Sequence, residues 1–433
     1  VDTRTTIVDS LSLHASFEAN QEAVQEVGQK ETEAIAPDDP LTQARMLAAF
    51  NNAIGQLKDE DKGPGVMSSA QNAVASRLQS MMVEAALGGE GGETFGLKLK
   101  QAMDTLEVKF DNFDWIGWIP VGLKKAFPPK PFPFRDPHPA AEPVADKLRV
   151  AVFGDWGSGL YGAQPIATAI KSDPNYQLVL HLGDTYYSGT KKEFQSRFTA
   201  FFPKPAGAVA RSLNGNHEMY SGGIPYIEAI DQDFDQKSSC FAWQTDHWLL
   251  VGLDTAYWDD STPAKDHVLT QRQFDWLNGL LAAAGSRKVV LFSHHQLFSQ
   301  LSDQGTHLID KLEPLLESGR IHSWYWGHEH RCVVYEPHPL WGLRGRCIGH
   351  GGFPEFRNAL GTAVQGELGW TTLAAKEKDG VKVPAAQSLE GPNRFINDGP
   401  ARYLPHGFLT LEFDGPNLVE IYREPDGTVL PNP

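Results

Sequence analysis

The sequence predicts an α/β fold from Leu148 onward, on three observations. Short apolar runs rich in branched and aromatic residues recur there: LRVAVF, YQLVLHL, HWLLVGL, RKVVLFS and IHSWYW. Such runs have the composition of buried strands. Between them KKEFQSRFTAFF and LTQRQFDWLNGLLAAAG read as amphipathic helices. Alternation of this kind implies α/β architecture with a largely covered sheet. Near the end, GFLTLEFDGPNLVEIYREPDG reads as a hairpin about a Gly-containing turn, so an antiparallel pair closes the domain. The weakly patterned span between Phe353 and Tyr403 is expected to be an insertion or lid.

The earlier part of the chain has a different texture. Residues 1–112 read as a helical N-terminal region. TQARMLAAFNNAIGQL sets Met46, Leu47, Phe50, Ile54 and Leu57 on one helical face. SSAQNAVASRLQSMMVEAAL forms a second helix from about Ser68, stopped by the glycines of GGEGGE, and a third runs from about Phe95 to Phe110. A cap packed on the next domain is one reading of this region, and a module that docks a protein partner is the other. Residues 113–147 then carry eight prolines between Pro120 and Pro143, with several aromatics. Proline fixes φ and removes backbone donors, so this is an extended strap or linker whose aromatics lie against protein. The third unit is residues 148–433.

Composition narrows the partners. A formal charge of −16 over 433 residues argues against a general nucleic-acid or anionic-membrane binder, since both reward a basic surface. It leaves an anionic substrate open, because a bound cation reverses the sign of a site locally. Three cysteines do not make a disulfide framework; Cys332 and Cys347 are close enough in sequence for one bridge, and two free thiols are the favoured expectation. No apolar run reaches the length of a membrane span. The opening VDTRTTIVDS has neither an initiator methionine nor a secretory apolar stretch. A removed leader or an internal start both fit, so a soluble chain is expected and export stays open.

Polar residues follow the predicted strands in a set order. Asp155 follows the first, Asp184 the second (HLGDTYYSG), and Asn216 and His217 follow AVARSL in NGNHE. His294 and His295 follow RKVVLF, and His328 and His330 follow IHSWYW in GHEH. The carboxyl ends of strands are where sites form in open α/β sheets. A lone aspartate after a strand is usually a helix cap. Carboxylates, imidazoles and one amide oxygen together suit first-row metals, and this many donors suit two ions bridged by one carboxylate.

The order GDxG, GDxxY, GNHE, strand–His, GHxH resembles the calcineurin-like metallophosphoesterase superfamily over about residues 148–433. That resemblance implies an αββα sandwich. Most of that superfamily has Asp-x-His at the first motif, whereas Gly157 stands in the third place here. The purple acid phosphatase branch shares this departure and supplies a tyrosine from its second motif, which the spacing of GDTYY puts at Tyr187, with Tyr186 packing. Carried over residue by residue, the resemblance assigns Asp155, Tyr187 and His330 to one metal, and Asn216, His294 and His328 to the other. Asp184 bridges them. His294 is preferred to His295 because it directly follows the strand. His217 stays off the metals and faces substrate as the catalytic acid, and His350 in IGHGG touches substrate. A phenol ionises near ~10, so a tyrosine ligand calls for a strongly Lewis-acidic ion: Fe(III), paired with Fe(II), Zn(II) or Mn(II). The implied activity is hydrolysis of a small phosphate ester by a metal-bound hydroxide, an acid-phosphatase-like monoesterase. A phosphodiesterase, or a delivered effector with a partner-binding N-terminal region, are the alternatives.

Overall fold

The computed structural model describes residues 130–159, 162–258, 269–355, 357, 367–396, 401 and 403–433. Before these it describes Ile7–Val8, Ala73, Ser76, Arg77, Gln79, Ser80 and Glu107–Val108. The predicted helix at 42–57 therefore lies outside the described residues, as do residues 113–129 of the strap. Of the predicted helix from Ser68, the described residues between Ala73 and Ser80 are helical. The third predicted helix is corrected at its end, where Glu107–Val108 pairs in parallel with Ile7–Val8.

Two sheets carry the domain. The smaller contains β2 (Lys147–Phe153), β3 (Leu178–His181), β4 (Val209–Ser212), β15 (Phe408–Asp414) and β16 (Asn417–Arg423), in the order β16-β15-β2-β3-β4. β2, β3 and β4 run parallel, while β15 and β16 form the antiparallel hairpin foreseen from the sequence.

The larger sheet has a parallel centre of β6 (Trp248–Gly252), β7 (Lys288–Ser293), β8 (Ile321–Trp326) and β10 (Arg344–Ile348). On one side β5 (Phe241–Gln244) and β1 (Glu142–Pro143) extend it. On the other lie β9 (Cys332–Pro337), β14 (Ala386–Glu390) and β11 (Gly369–Leu373), all joined antiparallel. The expected insertion or lid at 353–403 is thus corrected in part: residues 369–390 complete a sheet edge. β12 (Lys376–Lys378) and β13 (Val381–Val383) make a small hairpin within it.

Side-chain alternation explains the layering. Val150, Val152, Leu178, Leu180, Val290, Phe292, Tyr325, Leu409 and Leu411 are buried between the two sheets. Their neighbours Ala151, Phe153 and Val179 face the other way, onto α1 (Ala163–Ser172), a π-helical turn (Phe194–Thr199) and α2 (Ile224–Asp233). Val289, Leu291, Trp324 and Trp326 meet α3 (Gln271–Ala283) and α4 (Thr306–Glu317) on the outer face of the larger sheet. Helices cover both outer faces, giving the αββα sandwich. A strand buried on both faces reads as a continuous apolar run, as RVAVF and RKVVLF do. Each fully buried aliphatic side chain contributes about 1.5–3 kcal/mol, so this double burial fixes the strands firmly and with them the loops at their ends.

The strap crosses this body. Phe132 is buried against Tyr226 and Tyr257, its N–H donates to the Gly222 carbonyl at 2.8 Å, and Glu142–Pro143 pairs beside β5. The three cysteines are buried free thiols. Cys347 pairs with Val333 rather than Cys332 across β9 and β10, which puts the two thiols on opposite faces.

Candidate metal centre

The strand ends β2, β3, β4, β7 and β8 converge on one buried cluster. Asp155, Asp184, Asn216, His217 and His294 are at most 1% exposed, so carboxylates and imidazoles share one dry site. Burying such charge is costly without a counter-charge. The backbone is bent to put it there. Asp155, Asp184, His328 and His330 all take positive φ, of 55°, 78°, 70° and 50°. A left-handed non-glycine residue costs on the order of 1–3 kcal/mol and persists where the surroundings over-determine it. Glycines allow the close approach. A Cβ at Gly215 would lie 2.2 Å from Asp184 Oδ1, and one at Gly157 would lie 2.7 Å from the Thr185 Cα. The second contact explains the missing histidine of the first motif: position 157 has no room for a side chain.

Asp184 faces two groups at once. Its Oδ1 is 3.3 Å from His294 Nε2, and its Oδ2 accepts from the Tyr186 hydroxyl at 3.1 Å. Around Oδ2, the Tyr186 hydroxyl also lies 2.8 Å from Asp155 Oδ1 and 2.8 Å from His330 Nε2. Around Oδ1, Asn216 Oδ1 is 2.9 Å from His294 Nε2 and 3.1 Å from His328 Nδ1. Asn216 gives its amide N–H to the Tyr220 hydroxyl at 2.7 Å, which leaves Oδ1 aimed at the imidazoles. His294 Nδ1 bonds the Leu182 carbonyl at 2.9 Å, and His330 Nδ1 bonds Glu355 Oε2 at 3.1 Å. Each partner holds the proton on Nδ1 and leaves the Nε2 lone pair inward, the arrangement of a metal-ligating histidine.

This donor set fits two cations. Asp155, Asp184 and His330 offer ligand atoms within 4.8 Å of one another, and so do His294, His295 and His328. Burial would lower the His294 and His330 imidazoles, but Asp184 beside the first holds it up at about 9. Asp155 and Glu355 hold the second at about 10. Burial would raise the Asp184 carboxyl, yet His294 and His217 keep it well below the usual carboxylate range. These protons stand where cations would.

One expected ligand, Tyr187, is placed elsewhere than expected. The phenol within the cluster belongs to Tyr186, whereas the Tyr187 ring lies by Arg197, with the guanidinium 5.8 Å from its centroid. The cause is a buried ion pair. Glu193 accepts from the Tyr187 backbone N–H and lies 3.3 Å from Arg197, which in turn donates to the Tyr186 carbonyl. These bonds fix the turn so that residue 187 faces away and residue 186 faces in.

His217 is brought to the cluster, with Nδ1 on the Tyr187 carbonyl and Nε2 3.7 Å from Asp184 Oδ2. Glu218 accepts from the Gly215 and Asp184 backbone N–H groups at 2.8 and 3.1 Å, so it caps the turn. Asp254 likewise serves the fold, accepting from Asn214 and from the Ala256 and Tyr257 N–H groups. Glu355 gave no signal in the sequence, standing in GFPEF with no motif around it.

His350, expected to touch substrate, is fully buried with its ring against Gly407, where an added Cβ would lie 2.9 Å from Nε2. Burial pushes His350 down to about 3 and His406 beside it to about 4. Both folded values lie below the unfolded value near ~6.5, so the unfolded chain binds more protons below that pH and stability falls as the solution is acidified. At pH 5 the His350 contribution is on the order of 2 kcal/mol. Denaturant titrations should therefore show the stability gap between wild type and His350→Leu narrowing by that amount from pH 7 to pH 5. A gap independent of pH would contradict the neutral buried imidazole.

Residues 148–332, which supply the strands β2–β4 and β6–β8 and most of the cluster, match the family model of calcineurin-like phosphoesterases.

Among solved structures, a purple acid phosphatase from yellow lupin (Lupinus luteus) seeds is 16% identical, with a TM-score of 0.48 over 66% of this chain and 53% of that one. The chain thus spans about half the length of the lupin protein. A dimetal phosphatase from Danio rerio is 13% identical, with a TM-score of 0.41 over 64% of this chain and 96% of that one. No curated protein matches. Among the described residues no helix is long and apolar enough to cross a membrane.

Proposed function

We propose that the chain hydrolyses monoesters of small phosphorylated molecules. One cation would be held by Asp155, Tyr186 and His330, the other by Asn216, His294 and His328, with Asp184 shared. The observation that carries this reading is the two-sided Asp184, each oxygen facing a different donor group. Two carboxylates and a phenol make the first group oxygen-rich, which suits Fe(III), and imidazoles make the second suit Fe(II) or Zn(II). When bound, such a pair ionises a water near neutral pH and neutralises charge on the phosphoryl oxygens.

The chain's own residues do the rest. Asn216, His294 and His328 fix one side of the site, and His217 stands beside Asp184 on the other. Its Nδ1 is committed to the Tyr187 carbonyl, so Nε2 donates only when the ring is protonated. A phosphate dianion alongside stabilises that imidazolium, which then supplies a proton to the leaving oxygen, worth roughly 10²–10⁴-fold. Monoesters are favoured by depth. His328 is half-buried while the other proposed ligands are buried, so a terminal phosphoryl group reaches the cluster more readily than an internal one.

Turnover of p-nitrophenyl phosphate against bis(p-nitrophenyl) phosphate, after reconstitution with iron and zinc, tests this. The monoester should be preferred by at least tenfold in kcat/KM. Preference for the diester would replace the monoesterase reading, and turnover of neither would end it.

A further inference from the structure

We infer that His295 is a further ligand in the second half-site, making that half-site one of three imidazoles and selecting a nitrogen-preferring cation such as Zn(II). The inference rests on the two-cation reading above and adds a donor to it. The chain continues from β7 with two histidines in succession, and the structure turns both inward. A ring nitrogen of His295 lies within 4.8 Å of ligand nitrogens of His294 and His328. The three rings surround one point: His295 is 4.9 Å from His294 and 4.6 Å from His328 between centroids, and His294 is 5.1 Å from His328. Consecutive residues of an extended strand point to opposite faces, so two neighbours reach one site only where the strand has ended and the backbone turns. Here Ser293 closes β7, and its hydroxyl donates to the His295 carbonyl at 2.7 Å while accepting from Trp324 Nε1 at 2.8 Å.

Thr255 sets the ring. Its hydroxyl oxygen accepts the His295 backbone N–H at 3.0 Å and lies 3.1 Å from His295 Nδ1. The tautomer with Nδ1–H donating to that oxygen carries its lone pair on Nε2, as do His294 and His330, whose Nδ1 atoms face the Leu182 carbonyl and the Glu355 carboxylate. His295 is fully buried, so the ring is positioned for the interior rather than for solvent. Imidazole donors favour Zn(II), whereas Mn(II) favours carboxylate, carbonyl and water. A third imidazole therefore shifts preference toward zinc.

Calorimetric titration of the metal-free full-length chain with Zn(II) and, separately, Mn(II) tests this without recourse to turnover. Wild type should take two equivalents of Zn(II). In His295→Leu one equivalent should weaken at least tenfold, with Mn(II) binding changed less, and His295→Gln should recover part of the loss through its amide oxygen. Thr255→Val leaves every proposed ligand in place and should weaken the same equivalent several-fold by freeing the tautomer, so the test survives if the leucine variant does not fold. Two equivalents of unchanged affinity in the folded variants would overturn the His295 assignment and leave the two-cation reading standing. Fewer than two equivalents in wild type would overturn that reading itself.

Discussion

Replacing Asp184 by asparagine is expected to release at least one cation and lower turnover by roughly a thousand-fold or more. The two carboxylate oxygens divide the work, Oδ1 toward His294 and Oδ2 toward Tyr186, and an amide offers only one oxygen. Whichever way the amide turns, one half-site meets an N–H in place of a lone pair. The change is nearly isosteric, and the backbone bond from His217 N to Oδ1 needs only an acceptor, so the fold should survive. Charge is lost as well. Asp184 is the foremost group holding up the His294 imidazole against its burial, so the variant removes attraction for a cation and for the proton that replaces it. Elemental analysis and p-nitrophenyl phosphate turnover on the same preparation check the prediction. Two retained equivalents with activity within tenfold of wild type would contradict the shared carboxylate.

Much of this site was legible in the sequence because strands buried on both faces announce themselves. RVAVF, LVLHL and RKVVLF admit little other reading, and once they are placed, the Asp, Asn and His residues after them share one edge. The sheet arrangement then brings residues 155, 184, 216, 294, 328 and 330 together. What sequence left open depended on bonds between distant segments. Which of Tyr186 and Tyr187 turns its ring toward the cluster goes with bonds from Glu193 and Arg197, several residues on, whereas spacing alone points to Tyr187. Glu355 reaches His330 through a loop with no pattern of its own. The edge strands at 369–390 were missed because β11 is mostly half-exposed and β14, though largely buried, reads AQSLE, so neither shows the apolar run that marked the central strands. Residues 1–112 gave helical periodicity and no chemistry. The described residues there place Arg77 on Ser221 and Ser80 on Glu193, beside the turns that carry the cluster.

The pair of tyrosines offers the sharpest separation between sequence spacing and structure. Burial, with the negative charge of Asp155 and Asp184, pushes the Tyr186 phenol well above its usual value, so in the metal-free protein it stays protonated and donates to those carboxylates. Only a strongly Lewis-acidic cation displaces that proton, and a ferric ion bound to the resulting phenolate absorbs visible light. The iron-loaded wild type should therefore be coloured. Tyr186→Phe should lose the band completely, with weaker retention of iron, because the first half-site keeps two carboxylates and one imidazole but loses its phenol. Tyr187→Phe should keep the band, since its ring lies against Arg197 and Phe353 and its backbone contacts are untouched. Visible spectra and iron content of the three proteins decide between them. Bleaching in Tyr187→Phe with colour retained in Tyr186→Phe would reverse the assignment, and a colourless iron-loaded wild type would remove the phenolate from the site while leaving Asp155, Asp184 and His330 to hold the cation.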